Sequence, residues 1–222
     1  MSYKSKALQN IELEITHRCN KMCELCDHRI RTSSYDHLTR AQYKYIVSCI
    51  EQPEEMHSVL LTGGEPLCHP DFKWLAKAIT RDFKNARLKL QTNGKLLSEV
   101  DEGLLDNFYI ILSEYPGFND DIVQEYLNYD GVRVIRFHGF WDPYRDPNLD
   151  EETAKEIRAR CIYQVRLVGT RIYGCCLSEG IERYYQTEPV HVEFSRNWQE
   201  DWQNLPTWKA CQHCFRAIDW FT

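Results

Sequence analysis

The chain alternates between two hydrophobic rhythms. Residues 11–16, IELEIT, place apolar and polar side chains at successive positions, the pattern of a strand with one buried face. Residues 39–52 follow as a helix with Thr39 at its N-cap. Strand-like runs recur at 58–62 (SVLLT), 86–92 (ARLKLQT), 108–113 (FYIILS) and 132–138 (VRVIRFH), separated by helical runs at 71–83, 96–107 and 120–128. Strands joined in turn by helices predict parallel pairing with right-handed crossovers. Closing such a sheet takes about eight strands. The expected fold class is therefore α/β: a partial, open parallel β/α barrel of about five to six strands, with functional loops at the C-terminal strand ends.

The rhythm breaks near residue 139. GFWDPYRDPNLD (139–150) carries two prolines and several turn formers and reads as a linker or a site loop. A short helix is expected at 150–160. IYQVRLV (162–168) and RIYGCC (171–176), joined at Gly169-Thr170, predict a hairpin. Residues 178–222 are rich in Trp and weakly patterned. The expected division is a core over 1–138 and a small hairpin-plus-helix module over 139–222. That module holds five of the ten cysteines, which suggests a metal site supporting it.

Composition narrows the class. With 222 residues, 43% of them apolar, the chain suits one domain with a small appendage. The formal net charge of −6 argues against a general nucleic-acid binder, whose affinity rests on neutralising phosphates. The first fifteen residues lack the apolar core of a secretory signal, and no run approaches the roughly 20 apolar residues of a membrane span. A cytoplasmic protein without a membrane partner is expected. In such a reducing compartment, clustered thiols point to metal ligation rather than disulfides.

CNKMCELC (19–26) places Cys19, Cys23 and Cys26 in one tight loop after the first strand. A structural zinc site wants four ligands, and His28 is the nearby residue available as the fourth. A redox dithiol needs only the CxxC pair and leaves Cys19 idle. A four-iron four-sulfur cluster held by three thiolates keeps one iron open for a non-protein ligand. Spacing alone leaves zinc and the cluster both standing. LTGGEPL (61–67) ends the second strand. Gly63 and Gly64 permit close backbone approach to a ligand, Glu65 offers an acceptor for an ammonium group, and Pro66 stiffens the exit. A plain strand-to-helix turn accounts for the two glycines equally well.

Taken in order, CxxxCxxC after the first strand, GGEP after the second and QTNG (91–94) after the third resemble the radical S-adenosylmethionine superfamily over about 11–138. One departure is Leu25, where the family often has an aromatic residue. The resemblance implies that Cys19, Cys23 and Cys26 hold a four-iron four-sulfur cluster. Its open iron takes the amino and carboxylate groups of S-adenosylmethionine. Gly63, Gly64 and Glu65 lie at the methionine ammonium, and Asn93 faces the same pocket. Ser113, Arg136 and His138 end later strands, where the resemblance implies contact with the methionine carboxylate or ribose, although ordinary solvation is the plainer reading. One electron then splits the sulfonium, and a 5′-deoxyadenosyl radical abstracts hydrogen from a small-molecule or peptide substrate. The chemistry is the cofactor's, and the protein supplies position and exclusion of water.

The distal cysteines are Cys161, Cys175, Cys176, Cys211 and Cys214. One thiol before a hairpin, one at its end and a later CxxC are enough to close a site, as zinc or as iron–sulfur. The layout resembles the twitch domain, the shortened SPASM domain of some radical S-adenosylmethionine enzymes. That resemblance implies a second, auxiliary four-iron four-sulfur cluster on Cys161, Cys175, Cys211 and Cys214, with Cys176 the alternate to Cys175. Relatives with such domains oxidise a secondary alcohol, or crosslink or epimerise peptides. Oxidation needs a proton acceptor, and His17, Tyr115, Arg136 and His138 stand equal for that role. Cys49 and Cys68 read as small buried apolar groups, and His213 inside the final CxxC as facing solvent or a carbonyl. Trp141 is a candidate pocket wall. Around the first loop, Arg18, Lys21, Arg29 and Arg31 outnumber Glu24 and Asp27, which fits an acidic, flavodoxin-like electron donor, although a solvated loop explains the same charges.

Overall fold

The computed structural model describes residues 8–24, Cys26, His28, Ile30, 33–136, 145–161 and 165–214. The first strand, β1 (Asn10–Thr16), is the IELEIT run. Helix α1 (Arg40–Cys49) starts where expected: the Thr39 hydroxyl accepts from the Gln42 N–H while Gln42 reaches back to the Thr39 N–H, satisfying two end groups reciprocally. Then come β2 (Ser58–Gly63), α2 (Phe72–Asp82), β3 (Arg87–Thr92), a short α3 (Glu102–Leu105), β4 (Tyr109–Glu114), α4 (Asp120–Tyr126) and β5 (Val132–Arg136). The helix expected over 96–107 is instead a 3-10 turn at Leu97–Glu99 followed by the four-residue α3.

The C-terminal segment contains α5 (Glu151–Arg160), β6 (Val165–Val168), β7 (Arg171–Tyr173), α6 (Ser178–Tyr185), β8 (His191–Glu193), α7 (Trp198–Gln203) and α8 (Trp208–Cys211). All eight strands form one open sheet in the order β5-β4-β3-β2-β1-β6-β7-β8. The expected hairpin exists, with β6 and β7 antiparallel and Gly169 at φ +60° in the turn. It is not separate from the core: β6 pairs parallel to β1, with Leu13 opposite Leu167. The parallel part therefore has six strands, the upper end of the expected range.

Register explains the two faces. Partnered positions on adjacent strands share a face. Ile11, Leu13, Ile15, Val59, Leu61, Leu88, Leu90, Ile110 and Leu167 lie on one side, packed in one core with Tyr43 and Ile46 of α1 and Leu75 and Ile79 of α2. Leu112, Val132 and Val134 continue that side against Val123 of α4. The opposite, inner face carries Glu12 and Glu14 of β1, Lys89 and Gln91 of β3, and Arg166 of β6, assigned by the strand registers. A sheet that is apolar on its helix-covered side and polar inside is what IELEIT and RLKLQ encode. Among the described residues, no helix is long and apolar enough to cross a membrane.

Candidate active site

The cysteine loop begins directly after β1 and is stitched to the following turns. The Gly64 N–H donates to the Thr16 carbonyl at 2.7 Å and the Glu65 N–H to the Arg18 carbonyl at 2.8 Å. A Cβ on Gly63 would stand 2.2 Å from the Thr16 oxygen, and one on Gly64 2.4 Å from the Arg18 oxygen. Gly63 also holds φ +133°, a conformation that favours glycine. The two glycines thus serve close approach between two protein backbones, the GGEP turn and the cysteine loop.

Glu65 is 1% exposed. Its carboxylate accepts from the Leu67 N–H at 3.1 Å, the Thr92 hydroxyl at 2.7 Å and the Asn93 N–H at 2.7 Å. Burial pushes its pKa up, against these hydrogen bonds. Its carboxylate is aimed into the protein, where it joins the end of β2 to the end of β3. The Asn93 side chain donates to the Asn20 side chain at 2.8 Å, tying QTNG to the cysteine loop. Asn119, fully buried, donates to the carbonyls of Asn93 (2.6 Å) and Ser113 (2.8 Å). It joins β3 to β4, and no local pattern marks it beforehand. Ser113 is buried, with Gln91 Nε2 3.5 Å from its hydroxyl. The Arg136 backbone ends β5 opposite Glu114; its side chain, His138 and Trp141 lie outside the described residues.

Cys19, Cys23 and Cys26 are all half-buried. Burial pushes the Cys19 thiol up to about 12, and Glu65, Cys68 and Cys23 add to the rise, while the Lys21 N–H, 3.4 Å from its sulfur, opposes it. Cys68 belongs to the same group: the Asn20 N–H donates to its sulfur, although burial and Glu65 still raise its pKa. Thiols crowded together in low dielectric resist ionisation. A cationic centre reverses that resistance, so this donor set fits a metal cluster. Among the described residues, which include all ten cysteines, none is in a disulfide. His28 Nδ1 lies 2.8 Å from Glu14 Oε1.

Some of the loop's charges are engaged by other residues of the protein. Arg18 holds Asp36 with Nε and Nη2, and the Lys21 ammonium lies 4.1 Å from the Phe118 ring centre and 5.2 Å from that of Tyr115. Arg29 and Arg31 lie outside the described residues. His17 is buried, with Nδ1 against the Ser33 hydroxyl and Nε2 3.2 Å from Glu14. Below the loop, Arg166 is 2% exposed and donates to Glu14 at 2.9 Å and Glu12 at 3.0 Å. Burial works to raise the Glu14 pKa, but Arg166, His17 and His28 outweigh it and hold that carboxyl well below its usual range.

The distal cysteines converge from three elements. Cys161 caps α5, its N–H donating to Ile157. Cys211 ends α8 and is buried; burial, then Cys214 and, more weakly, Cys161 push its thiol up to about 12. Cys214 packs in two apolar clusters, one with Cys211 and the other with Cys175 and Cys176. Cys176 is half-buried, hydrogen-bonds the Cys175 thiol, and feels Glu12 and Arg166. Cys214 is thus the link between Cys211 and Cys175, and Cys161 is joined to the group through Cys211. His213 is partly exposed, with its Nδ1 2.9 Å from the Asp146 carboxylate rather than on a carbonyl, and its ring stacks on Tyr185 at 5.0 Å.

Comparison with known proteins agrees with this layout. Residues 13–116 match the Radical SAM superfamily. The chain is 33% identical over 104 residues to the GTP 3',8-cyclase of Aliarcobacter butzleri (strain RM4018) and 31% over 100 residues to that of Microcystis aeruginosa (strain NIES-843 / IAM M-2473). Each match covers 43% of this chain and 30% of the relative's length. The crystal structure of BtrN in complex with AdoMet and 2-DOIA superposes with a TM-score of 0.61 at 14% identity, over 92% of this chain and 85% of that one. SeMet BtrN in an open conformation gives 0.54, also at 14% identity, over 92% and 83%. At that identity the likeness is one of fold. The match to the Radical SAM superfamily runs over residues 13–116, from within β1 to just past β4.

Proposed function

We propose that the protein is a radical S-adenosylmethionine enzyme with two four-iron four-sulfur clusters, oxidising a small-molecule substrate. One observation carries the reading: the three-cysteine loop is sewn by GGEP and QTNG backbone and side chains to the C-terminal ends of adjacent parallel strands. When bound, the first cluster supplies the electron that cleaves S-adenosylmethionine, and the 5′-deoxyadenosyl radical takes a hydrogen atom from the substrate. Cys19, Cys23 and Cys26 would hold that cluster. Gly63 and Gly64 set the loop's height above the sheet, and Glu65, Asn93 and Asn119 lock three strand ends into one platform. The protein's work is preorganisation: a cofactor held by a rigid platform reacts in one geometry.

Cys161, Cys175, Cys211 and Cys214 would hold the auxiliary cluster, which would supply an acceptor for the electron that an oxidation leaves on the substrate. The relatives' names carry GTP and 2-DOIA, and support a small molecule over a peptide. The −6 net charge supports the same choice over nucleic acid. An acidic, flavodoxin-like donor is proposed for the loop's basic residues.

The test is anaerobic reconstitution followed by dithionite and S-adenosylmethionine. The reading expects 5′-deoxyadenosine and about eight iron atoms per chain, with Cys23→Ala losing the product. Zinc as the sole metal, and no 5′-deoxyadenosine, would leave a non-catalytic metal-binding protein instead.

A further inference from the structure

The inner face of the sheet has two electrostatic halves. On β1 and β6, Glu12 and Glu14 are neutralised by the buried Arg166. On β3 to β5 the inner positions are Arg87, Lys89 and Gln91, then Tyr109, Ile111 and Ser113, then Arg133 and Ile135, as the strand registers place them. Three of these eight are cations and none is a carboxylate, in a protein whose net charge is −6. Among the described residues, none of the three cations forms an ion pair within 4.0 Å. The Lys89 ammonium lies 3.3 Å from the Ser58 hydroxyl. Arg87 lies over the Tyr109 ring, 4.4 Å from its centre.

This half of the face is open. Along β3 the burial alternates, with Arg87 exposed and Lys89 and Gln91 half-buried while Leu88 and Leu90 are buried. Tyr109 and Ile111 are likewise half-buried and Arg133 is exposed. Burial, and then the neighbouring Arg87, lower the Lys89 pKa, with Glu12 opposing weakly. Stacking cations on a half-dry surface costs free energy unless an anion joins them. Lys89 lies on β3 four residues before Asn93, which follows the strand's last residue, Thr92. At about 3.3 Å per residue, the cationic patch is roughly 13 Å from the platform under the cysteine loop. That is the span of a small molecule with its reacting end at the loop and a charged group at the other end.

We propose that Lys89, with Arg87 and Arg133, binds an anionic group, phosphate or carboxylate, at the end of a small-molecule substrate remote from the reacting carbon. Tyr109 is placed to pack against the substrate beside that group. The assignment rests on the enzyme reading for its purpose, but its test does not.

Inorganic pyrophosphate is the probe, titrated calorimetrically into the reconstituted full chain at low salt, with sodium chloride of equal ionic strength as the control. One pyrophosphate per chain is expected. Lys89→Met and Arg133→Gln each weaken binding about tenfold or more, the scale of one charged hydrogen bond, and Lys89→Arg restores most of it. Unaltered melting temperatures show that the variants fold; if Lys89→Met does not fold, Arg133→Gln, at an exposed position, carries the comparison. Wild type that binds no pyrophosphate, or binding that Lys89→Met and Arg133→Gln leave within twofold, overturns the site. Because this binding needs no S-adenosylmethionine cleavage, missing 5′-deoxyadenosine would defeat the enzyme reading alone.

Discussion

The Glu65 carboxylate accepts the Asn93 backbone N–H at 2.7 Å, so the turn after β2 and the turn after β3 are one structural unit. Thr92 and Leu67 occupy the other oxygen. Glu65→Ala leaves three donors without their acceptor in a site 1% exposed. A loss of about 3 kcal/mol is expected in urea denaturation of the apo chain. Glu65→Gln turns an amide N–H₂ towards donors and is expected to recover less than half of it. If the Gln variant matches the parent, the carboxylate charge is not what joins the two turns.

Gly64 tests the approach of the same turn to the cysteine loop. The Gly64→Ala Cβ would lie 2.4 Å from the Arg18 carbonyl oxygen, a backbone atom that cannot rotate away. Overpacking of this kind costs about 1–3 kcal/mol and pushes the loop off the platform. Iron content after reconstitution should fall by at least half, whereas Gly131→Ala, which has nothing within 4 Å but holds φ +82°, should lose stability only and keep its iron.

The alternation of IELEIT revealed more than a strand. Ile11, Leu13 and Ile15 do face the helices, and Glu12 and Glu14 the interior. The order of the first five strands followed from their alternation with helices, because parallel neighbours need a crossover. The place of Val165–Val168 did not. Four apolar residues advertise a strand but not a partner, and β6 pairs with β1, over 150 residues away in sequence. His191–Glu193 is too short for any period to show. The cysteine spacing exposed the ligand candidates at once. The residues that hold them in place, Asn20, Asn119 and Arg166, were hidden because each acts across a long loop or between strands.

Arg166 is the most exacting of these long-range ties. Arg166→Met strands two buried carboxylates, and a penalty of about 3–5 kcal/mol is expected at pH 7. The sign of its pH dependence follows from Glu14. In the parent, the Glu14 pKa is held below its unfolded value, so its contribution is present above about pH 4.5 and is lost as pH falls through the folded pKa. Without the guanidinium, burial dominates and the folded pKa rises above the unfolded one, so stability grows as pH falls. The gap between variant and parent should shrink from pH 7 to pH 5 in chemical denaturation. A gap that widens would mean that Glu12 and Glu14 are not the groups Arg166 serves.

The donor reading isolates Arg29 and Arg31, since Arg18 is held by Asp36 and Lys21 by two aromatic rings. Reversing both to Glu should slow reduction by flavodoxin about tenfold at low salt and leave reduction by dithionite alone, because rim charges act mainly on association rate. Equal slowing by both reductants would place the damage in the cluster and remove the case for an acidic partner.

The pair Cys175 and Cys176 separates the auxiliary cluster from mere packing. Both thiols touch the same apolar group as Cys214. Both are half-buried, but Cys176 interacts with Glu12 and Arg166 of the inner face, whereas the Cys175 sulfur accepts the Leu177 N–H at 3.3 Å, as a cluster thiolate with a local amide donor would. Cys175→Ala should therefore lower iron from about eight to about four atoms per chain. Cys176→Ala should keep all of it and cost only the packing of a small half-buried group, roughly 1 kcal/mol. Electron paramagnetic resonance of the reduced protein distinguishes which cluster is gone: the signal that shifts on adding S-adenosylmethionine should persist in Cys175→Ala. If Cys176→Ala is the variant that loses iron, the second ligand is the thiol facing the barrel interior, and the auxiliary cluster sits closer to Arg166 and the substrate face than the Cys175 assignment places it.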